Sequence, residues 1–429
     1  MSIDFKRIIF YLNFIIRALQ TTDSWQHINP CDVLLVRGDS DCGYRYDGKA
    51  YAQLIDSFGE LCINHGLSVS SVAIQNPRFI GDLAQFSPVC FDRSLMRIIK
   101  IGKIIEMIHG YKIGKEWIEF HRTDLWCQIL KKARPKCIIG IQPDEFLCRA
   151  GKLQQIPVYD LQHGIITNED PYYKEFYRME TPAENLPVGF LCWDDQGADP
   201  ILKWAPDKGI RVLIVGNPWF MRFARTQPGD ELVNKASVKE NLIGDNRPCI
   251  LVSLQYKISE FAPGQIYNGV MVDSLEKVIL NTGELFTWIV RVHPVQLSGI
   301  ESKETFDYLT TTFGIERTRM WLASSLIPLP VVLKKADLHI TFSSAVVVEA
   351  AWMGIRSGLL NKNIGQDGIS EDWFSYERNR GMAEVIPQNP DIIKQWIIDT
   401  LAKGRGESTL KDTRQNLDAF IDDIAGMKS

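Results

Sequence analysis

The sequence predicts an α/β protein built on two doubly wound parallel sheets. Short, nearly continuous apolar and β-branched runs recur along the chain, as in strands buried on both faces. They alternate with longer stretches at helical spacing, the pattern of strand–helix–strand units. The chain has 429 residues, 45% hydrophobic and 23% charged, enough for two or three domains with an ordinary globular core.

The runs fall into two series. The first predicted strands are 32–36, 69–74, 136–141, 157–161 and 188–193. The second series is 211–215, 248–254, 287–292, 337–341 and 358–360. Each series is expected to form its own sheet. The join lies within 203–218, where GNPWF follows a strand, and the boundary is placed at about residue 215. Segment 225–247 is polar and reads as a helix and loop entering the second sheet. The tail 409–429 reads as an amphipathic helix, with Leu417, Phe420, Ile421 and Ile424 on one face.

At the other end, segment 4–20 carries Lys6 and Arg7 before an apolar stretch that Arg17 interrupts. No small-residue cleavage site follows, so a surface helix is expected rather than a secretory signal. Such a helix packs on its own core, or touches an inner membrane leaflet through its basic residues. No apolar run reaches the ~18 residues of a spanning helix.

Net charge is −4, so no global basic field points to nucleic acid. The nine cysteines are odd in number, and no pair has C-x-x-C spacing. They read as small core residues in a reducing compartment. The sequence lacks G-x-x-x-x-G-K-[ST], G-x-G-x-x-G, H-E-x-x-H and G-x-S-x-G, which argues against P-loop, dinucleotide, zincin and α/β-hydrolase chemistry.

Ligands of doubly wound sheets bind beyond the carboxyl ends of the strands, so chemistry is sought in the loops that follow them. Four segments qualify. After 157–161 come Gln162, His163 and Gly164, an imidazole beside a glycine that frees the backbone. In WIVRVHPVQ, Arg291 and His293 alternate with apolar residues, and Pro294 ends the ladder beyond a histidine suited to a phosphate. In ADLHITFSSAVVVEAAWMG a strand runs into Ser343 and Ser344, expected at the N-cap and first turn of a helix. Their hydroxyls would face an anion there, with Glu349 further along placed for a ribose hydroxyl. The loop DSDCGYRYDGK carries Asp39 and Asp41. This D-x-D pair comes too early for a nucleotide-binding unit, and it reads as a substrate-facing loop, not a metal site. Asp144 and Glu145, Asp194 and Asp195, and Gln255 and Lys257 also follow strands, Lys257 with an ammonium suited to a phosphate.

Taken in order, strand–QHG, VGNPWF, RVHP and ADLHITFSS–helix–EAAWMG resemble the GT-B glycosyltransferases that build bacterial capsule, lipopolysaccharide or other surface polymers. Similar HP and Ser-Ser elements occur in bacterial sialyltransferases, Kdo transferases and CDP-glycerol polymer transferases. The resemblance implies two facing Rossmann-like domains. Residues 1–215 would bind the acceptor, and 216–429 the nucleotide-sugar, with the last helix packing back on the first domain. It implies hexosyl-, sialyl- or Kdo-type transfer to a growing surface glycan without a metal or resident cofactor. A CMP-sugar is the favoured donor; a UDP-sugar or CDP-glycerol is the alternative.

On the donor side the resemblance implies Arg291, His293, Pro294, Ser343, Ser344, Glu349 and Lys257. On the acceptor side it implies Gln162, His163 and Gly164. His163, Asp39 and Asp41 become candidate bases or nucleophiles, with His293 assisting departure of the nucleotide. The expected partners are the donor and a glycan or lipid-linked acceptor, in the cytoplasm or at the inner membrane face beside other assembly proteins. A nucleotide-sugar epimerase of the same fold and a non-catalytic partner in glycan assembly remain as alternatives.

Overall fold

The computed structural model of the chain describes residues 15–16, 18–38, 44–73, 81–168, 170, 172–174, 180–224, 229–243, 246–255, 258, 269–298, 302–366 and 371–427. The chain divides into two compact units. One holds residues up to Trp219 together with those from Thr413 onward, and the other is Phe220–Asp412.

The first unit is organised on β1 (Val33–Arg37), a run of five buried residues. On one side of it lie β4 (Val69–Ala73) and β5 (Val89–Cys90). On the other lie β6 (Cys137–Gly140), β7 (Val158–Leu161), β8 (Gly189–Cys192) and β9 (Arg211–Ile214). The order β5-β4-β1-β6-β7-β8-β9 is parallel throughout and reverses direction at β1, so its topological switch point lies between β1 and β6. A short hairpin, β2 (Tyr44–Tyr46) and β3 (Lys49–Tyr51), stands apart from this sheet.

Side chains of β1 alternate between two cores, as the period of a strand requires. Leu34 and Val36 pack with Trp126, Ile129 and Leu130 from a long helix, Tyr111–Ala133. Val33 and Leu35 pack with Leu417, Phe420, Ile421 and Ile424 of the C-terminal helix Arg414–Gly426. The last helix therefore completes the core of the first unit, its ring Phe420 lying 4.9 Å from Tyr159.

A buried ion pair fixes the carboxyl end of β1. The Arg37 guanidinium donates to both oxygens of Asp56 at 2.9 and 3.0 Å and to the Gln85 carbonyl at 3.0 Å. Asp56 also accepts from the Ala52 N–H at 2.6 Å, which anchors the start of the helix Gln53–Asn64.

Predicted strand 211–215 was expected to open the second sheet, and here the structure corrects the sequence reading. The strand is β9, paired with β8 in parallel register from Gly189↔Arg211 to Cys192↔Ile214. The crossover helix Asp195–Leu202 returns the chain beside the strand it has just left, the usual fate of consecutive elements. As the edge strand β9 is only partly buried.

The second unit carries β10 (Cys249–Ser253), β11 (Thr287–Arg291), β12 (Leu338–Thr341), β13 (Arg356–Leu359) and β14 (Ala383–Val385). They pair in parallel in the order β11-β10-β12-β13-β14, and the direction reverses between β10 and β12. One core runs through Ile250, Val252, Trp288, Val290, Leu338 and Ile340. Inside the sheet, His339 is fully buried, with Nδ1 2.9 Å from Ser357 Oγ and Nε2 3.1 Å from Ser253 Oγ. Burial pushes its pKa down to about 3, so the ring is neutral.

The eight described cysteines are free and buried, and burial raises the thiol pKa of those that shift, as in Cys62 to about 12. No helix among the described residues is long and apolar enough to cross a membrane.

Candidate functional site

The carboxyl ends of β10 and β12 flank the switch point of the second sheet, where an open α/β sheet leaves a crevice, and β11 lies on the other side of β10. Each strand delivers a polar residue as its ladder ends: Gln255 after β10, His293 after β11, and Ser343 after β12. Ser343 is buried, and its hydroxyl donates to Gln255 Oε1 at 2.8 Å, bridging the loops on either side of the switch point. The bridge rests on Thr341, whose hydroxyl donates to the Ser253 carbonyl at 2.8 Å and accepts from the Ser344 N–H at 3.2 Å. Ser253 in turn touches His339, so the buried Ser357–His339–Ser253 chain stands directly beneath the serine loop.

The sequence puts the two serines at the N-cap and first turn of the helix. The structure moves them ahead of it: the helix is Val346–Trp352, Ala345 is its N-cap, and no side chain caps it. Ser344 Oγ accepts from the Val346 N–H only at 3.4 Å, too long for a firm cap. Four residues, 342–345, connect β12 to the helix and hold the serines over the strand end.

His293 is half-buried. Its backbone N–H donates to the side chain of Gln296 at 3.0 Å, and its carbonyl accepts from the Gln296 N–H at 2.8 Å. Burial lowers its imidazole pKa, which favours the neutral ring. Pro294 does more than end a ladder: it opens the short helix Pro294–Ser298, where its missing N–H costs nothing.

Arg291 makes contacts that the sequence does not announce. One nitrogen of its guanidinium donates to the carbonyls of Ser324 at 3.1 Å and Ile327 at 2.7 Å, so it holds the protein's own backbone. Glu349 is the charge it faces. Burial raises the Glu349 pKa from 4.5 to about 7, with Arg291 pulling the other way. The same burial lowers Arg291 to about 10, and Glu349 opposes that shift. Among the described residues Glu349 makes no hydrogen bond and no ion pair within 4 Å, and Arg291 is the charge that acts on it.

Further along the same sheet end lies a cavity of about 660 Å³. Lys362 and Gln366, after β13, and Gln388, after β14, line it with Asp273, Ser274 and Lys277 from the first turns of the helix Asp273–Asn281. The Ser274 hydroxyl is buried there without a hydrogen-bond partner among the described residues. None of the cavity residues was singled out from the sequence, because they come from three separate loops and form no contiguous motif.

In the first unit, His163 is exposed at the carboxyl end of β7. Gln162, expected to face an acceptor, is buried instead. Its amide donates to the Gly164 carbonyl and accepts from the Trp193 N–H, both at 2.8 Å, which ties β7 to β8. Gly164 has open space where a side chain would stand and no left-handed backbone, so no close approach requires glycine there. Asp144 and Asp194 are helix N-caps, accepting from Leu147 N–H at 2.8 Å and Gly197 N–H at 2.9 Å. Glu145 accepts from the Asn185 amide at 3.2 Å. Asp39, Asp41 and Lys257 lie outside the described residues. Among the described residues no group of three His, Cys, Asp or Glu side chains is placed to hold a metal ion.

Asp160 went unnoticed in the sequence. It is buried near the end of β7 and accepts from the Gln142 N–H at 2.8 Å and the Tyr173 hydroxyl at 3.3 Å, holding the loops on either side of His163. An aspartate inside an apolar strand was the available signal.

The chain matches no family model and no curated protein. Solved structures are similar in fold across nearly its whole length. The UDP-GlcNAc 2-epimerase from Neisseria meningitidis bound to UDP-GlcNAc shares 14% identity over 92% of this chain and 99% of its own, with a TM-score of 0.52. The UDP-GlcNAc 2-epimerase from Methanocaldococcus jannaschii shares 12% over 92% and 99%, with a TM-score of 0.54. The wall teichoic acid polymerase TagF shares 11% over 99% of this chain and 97% of its own, also with a TM-score of 0.54. At such identities the likeness carries the fold, which is GT-B: two Rossmann-like domains, each on a parallel sheet.

Proposed function

We propose that this chain is a glycosyltransferase that takes a sugar from a nucleotide-activated donor and passes it to a growing surface glycan. The observation that carries the reading is the Ser343–Gln255 hydrogen bond across the switch point of the second sheet, with His293 following the neighbouring strand β11 and Glu349 on the helix that follows the serine loop. With its Oε1 held by the Ser343 hydroxyl, the Gln255 amide has its NH2 left to donate; that group and a neutral His293 imidazole are donors suited to a phosphate, and a carboxylate is an acceptor suited to a ribose diol. Donors fixed in advance by the Ser343–Gln255 and Thr341 contacts stabilise the negative charge that develops as the glycosidic bond breaks. The neighbouring cavity, with Lys277 and Lys362 on its wall, has the size of a small-ligand pocket and would take the sugar.

A pyrimidine nucleotide is the preferred donor, with CMP-activated sugars first on the motif pattern. The fold neighbours include an epimerase bound to UDP-GlcNAc, which supports the UDP alternative. His163, exposed after β7, is the candidate base on the acceptor side, and Asp39 and Asp41 are the other candidates.

Donor consumption with and without glycan acceptor tests the reading. Nucleotide release should depend on acceptor, and His293→Ala should lower kcat/KM by about 10²–10³-fold, the range for losing one fixed donor to a developing charge. Interconversion of a UDP-sugar without acceptor would favour the second reading, an epimerase, which the coverage of epimerase structures supports. Turnover unchanged in His293→Ala would remove the site from the chemistry altogether.

A further inference from the structure

The helix Asp92–His109 and the helix Tyr111–Ala133 form an antiparallel hairpin turning at Gly110, whose φ of +92° suits glycine alone. They cross closely at two further glycines. A Cβ on Gly102 would fall on Ile118, and one on Gly114 would fall on Glu106.

Only one end of the hairpin belongs to the core. Leu95, Leu125, Trp126, Ile129 and Leu130 are buried, but between Leu95 and Thr123 the only buried residues are Gly102 and Gly114. The distal half carries Ile101, Ile104, Met107, Ile108, Ile113 and Phe120, all exposed, Met107 by 83% and Ile108 by 66%. On the first helix, Ile101, Ile104 and Ile108 fall at i, i+3 and i+7, a continuous stripe. No other stretch among the described residues exposes so many large apolar side chains so close together.

Charge says what covers this stripe. The hairpin, 92–133, holds nine Lys and Arg against five Asp and Glu, in a chain whose net charge is −4. Arg93, Arg97, Lys100, Lys131 and Lys132 make no ion pair among the described residues, and Lys112 is exposed beside the turn. A second copy would bring like charge against like. An anionic surface with an apolar interior satisfies both features.

We infer that the tip of this hairpin docks the protein on a bilayer of anionic phospholipid. From Ile104 to Gly110 the helix rises about 9 Å, matching the ~5–10 Å to which interfacial helices sink. Met107, Ile108 and Ile113 enter the acyl boundary, while Lys100, Lys103, Lys112 and Lys115 extend their stems and keep their ammonium groups among the phosphates.

The test is cosedimentation of the purified full chain with vesicles of phosphatidylglycerol and phosphatidylcholine, against phosphatidylcholine alone. Binding is read without donor or acceptor, so its outcome is separate from that of the transferase reading. The chain should bind the anionic vesicles and lose binding as salt rises. The triple variant Ile104→Ser, Met107→Ser, Ile108→Ser should lose about tenfold or more, since each removes exposed apolar area and none is in the core. Lys112→Glu with Lys115→Glu should weaken binding with the apolar tip intact, and unchanged thermal unfolding would show both variants folded. A chain that stays in the supernatant, or a triple variant that binds like wild type, overturns the inference. So does a dimer in sedimentation velocity that the same substitutions dissolve.

Discussion

Glu349 and His339 are titratable groups of opposite sense in one domain. Glu349 is raised to about 7, so the folded protein holds a proton that the unfolded chain releases near 4.5. Its contribution to stability is present below 4.5 and is lost as pH rises through 7. Ionised, it is the better acceptor for a ribose hydroxyl. Nucleotide affinity, measured by calorimetry, should therefore rise between about pH 6 and pH 8, and Glu349→Gln should flatten the rise. Parallel profiles for the two proteins would remove Glu349 from the ribose.

His339 runs the other way: its folded pKa is about 3, against an ordinary 6.5. As pH falls below 6.5 the unfolded chain takes up a proton that the folded chain refuses. Stability should fall across the window from 6.5 to 3, by up to about 1.4 kcal/mol per pH unit. Urea unfolding at several pH values checks this, and in His339→Gln that part of the slope should vanish.

Residues whose positions follow from a strand end could be read from the sequence, as His293 after β11 and Ser343 after β12 show. Those whose roles depend on distant partners could not. Nothing near Arg291 in sequence announces the carbonyls of Ser324 and Ile327 that it holds, and nothing near Gln162 announces Trp193.

At the scale of elements, long strands were legible because burial on both faces leaves an unbroken apolar run, as in β1 and β10. The hairpin β2–β3 and the strands β5 and β14 have two or three residues each, too few to show a period. Strand 211–215 was legible as a strand, but its sheet was not, because pairing partner is a property of the crossover and not of the strand. The Arg37–Asp56 pair was equally hidden, a charge at the end of an apolar run meeting one inside a helix. Asp56→Ala should cost about 3–5 kcal/mol in chemical denaturation, because it strands a buried guanidinium. A loss below about 1 kcal/mol would mean that the helix Gln53–Asn64 is anchored by other means.

At the scale of the molecule, two sheets of different strand order carry two switch points, and the one in the second unit is bridged by Ser343 and Gln255. The C-terminal helix returns to the first unit, so that unit's core is completed from both ends of the chain. A ligand that binds only the folded protein raises its apparent stability by an amount set by its concentration over its dissociation constant.

Thermal unfolding with CMP, CDP, UDP and GDP, on wild type and on Ser343→Ala and His293→Ala, tests the nucleotide site most directly. A rise in Tm with a pyrimidine nucleotide that both substitutions abolish is the predicted result. No rise with any of the four, or a rise that survives both substitutions, would contradict it.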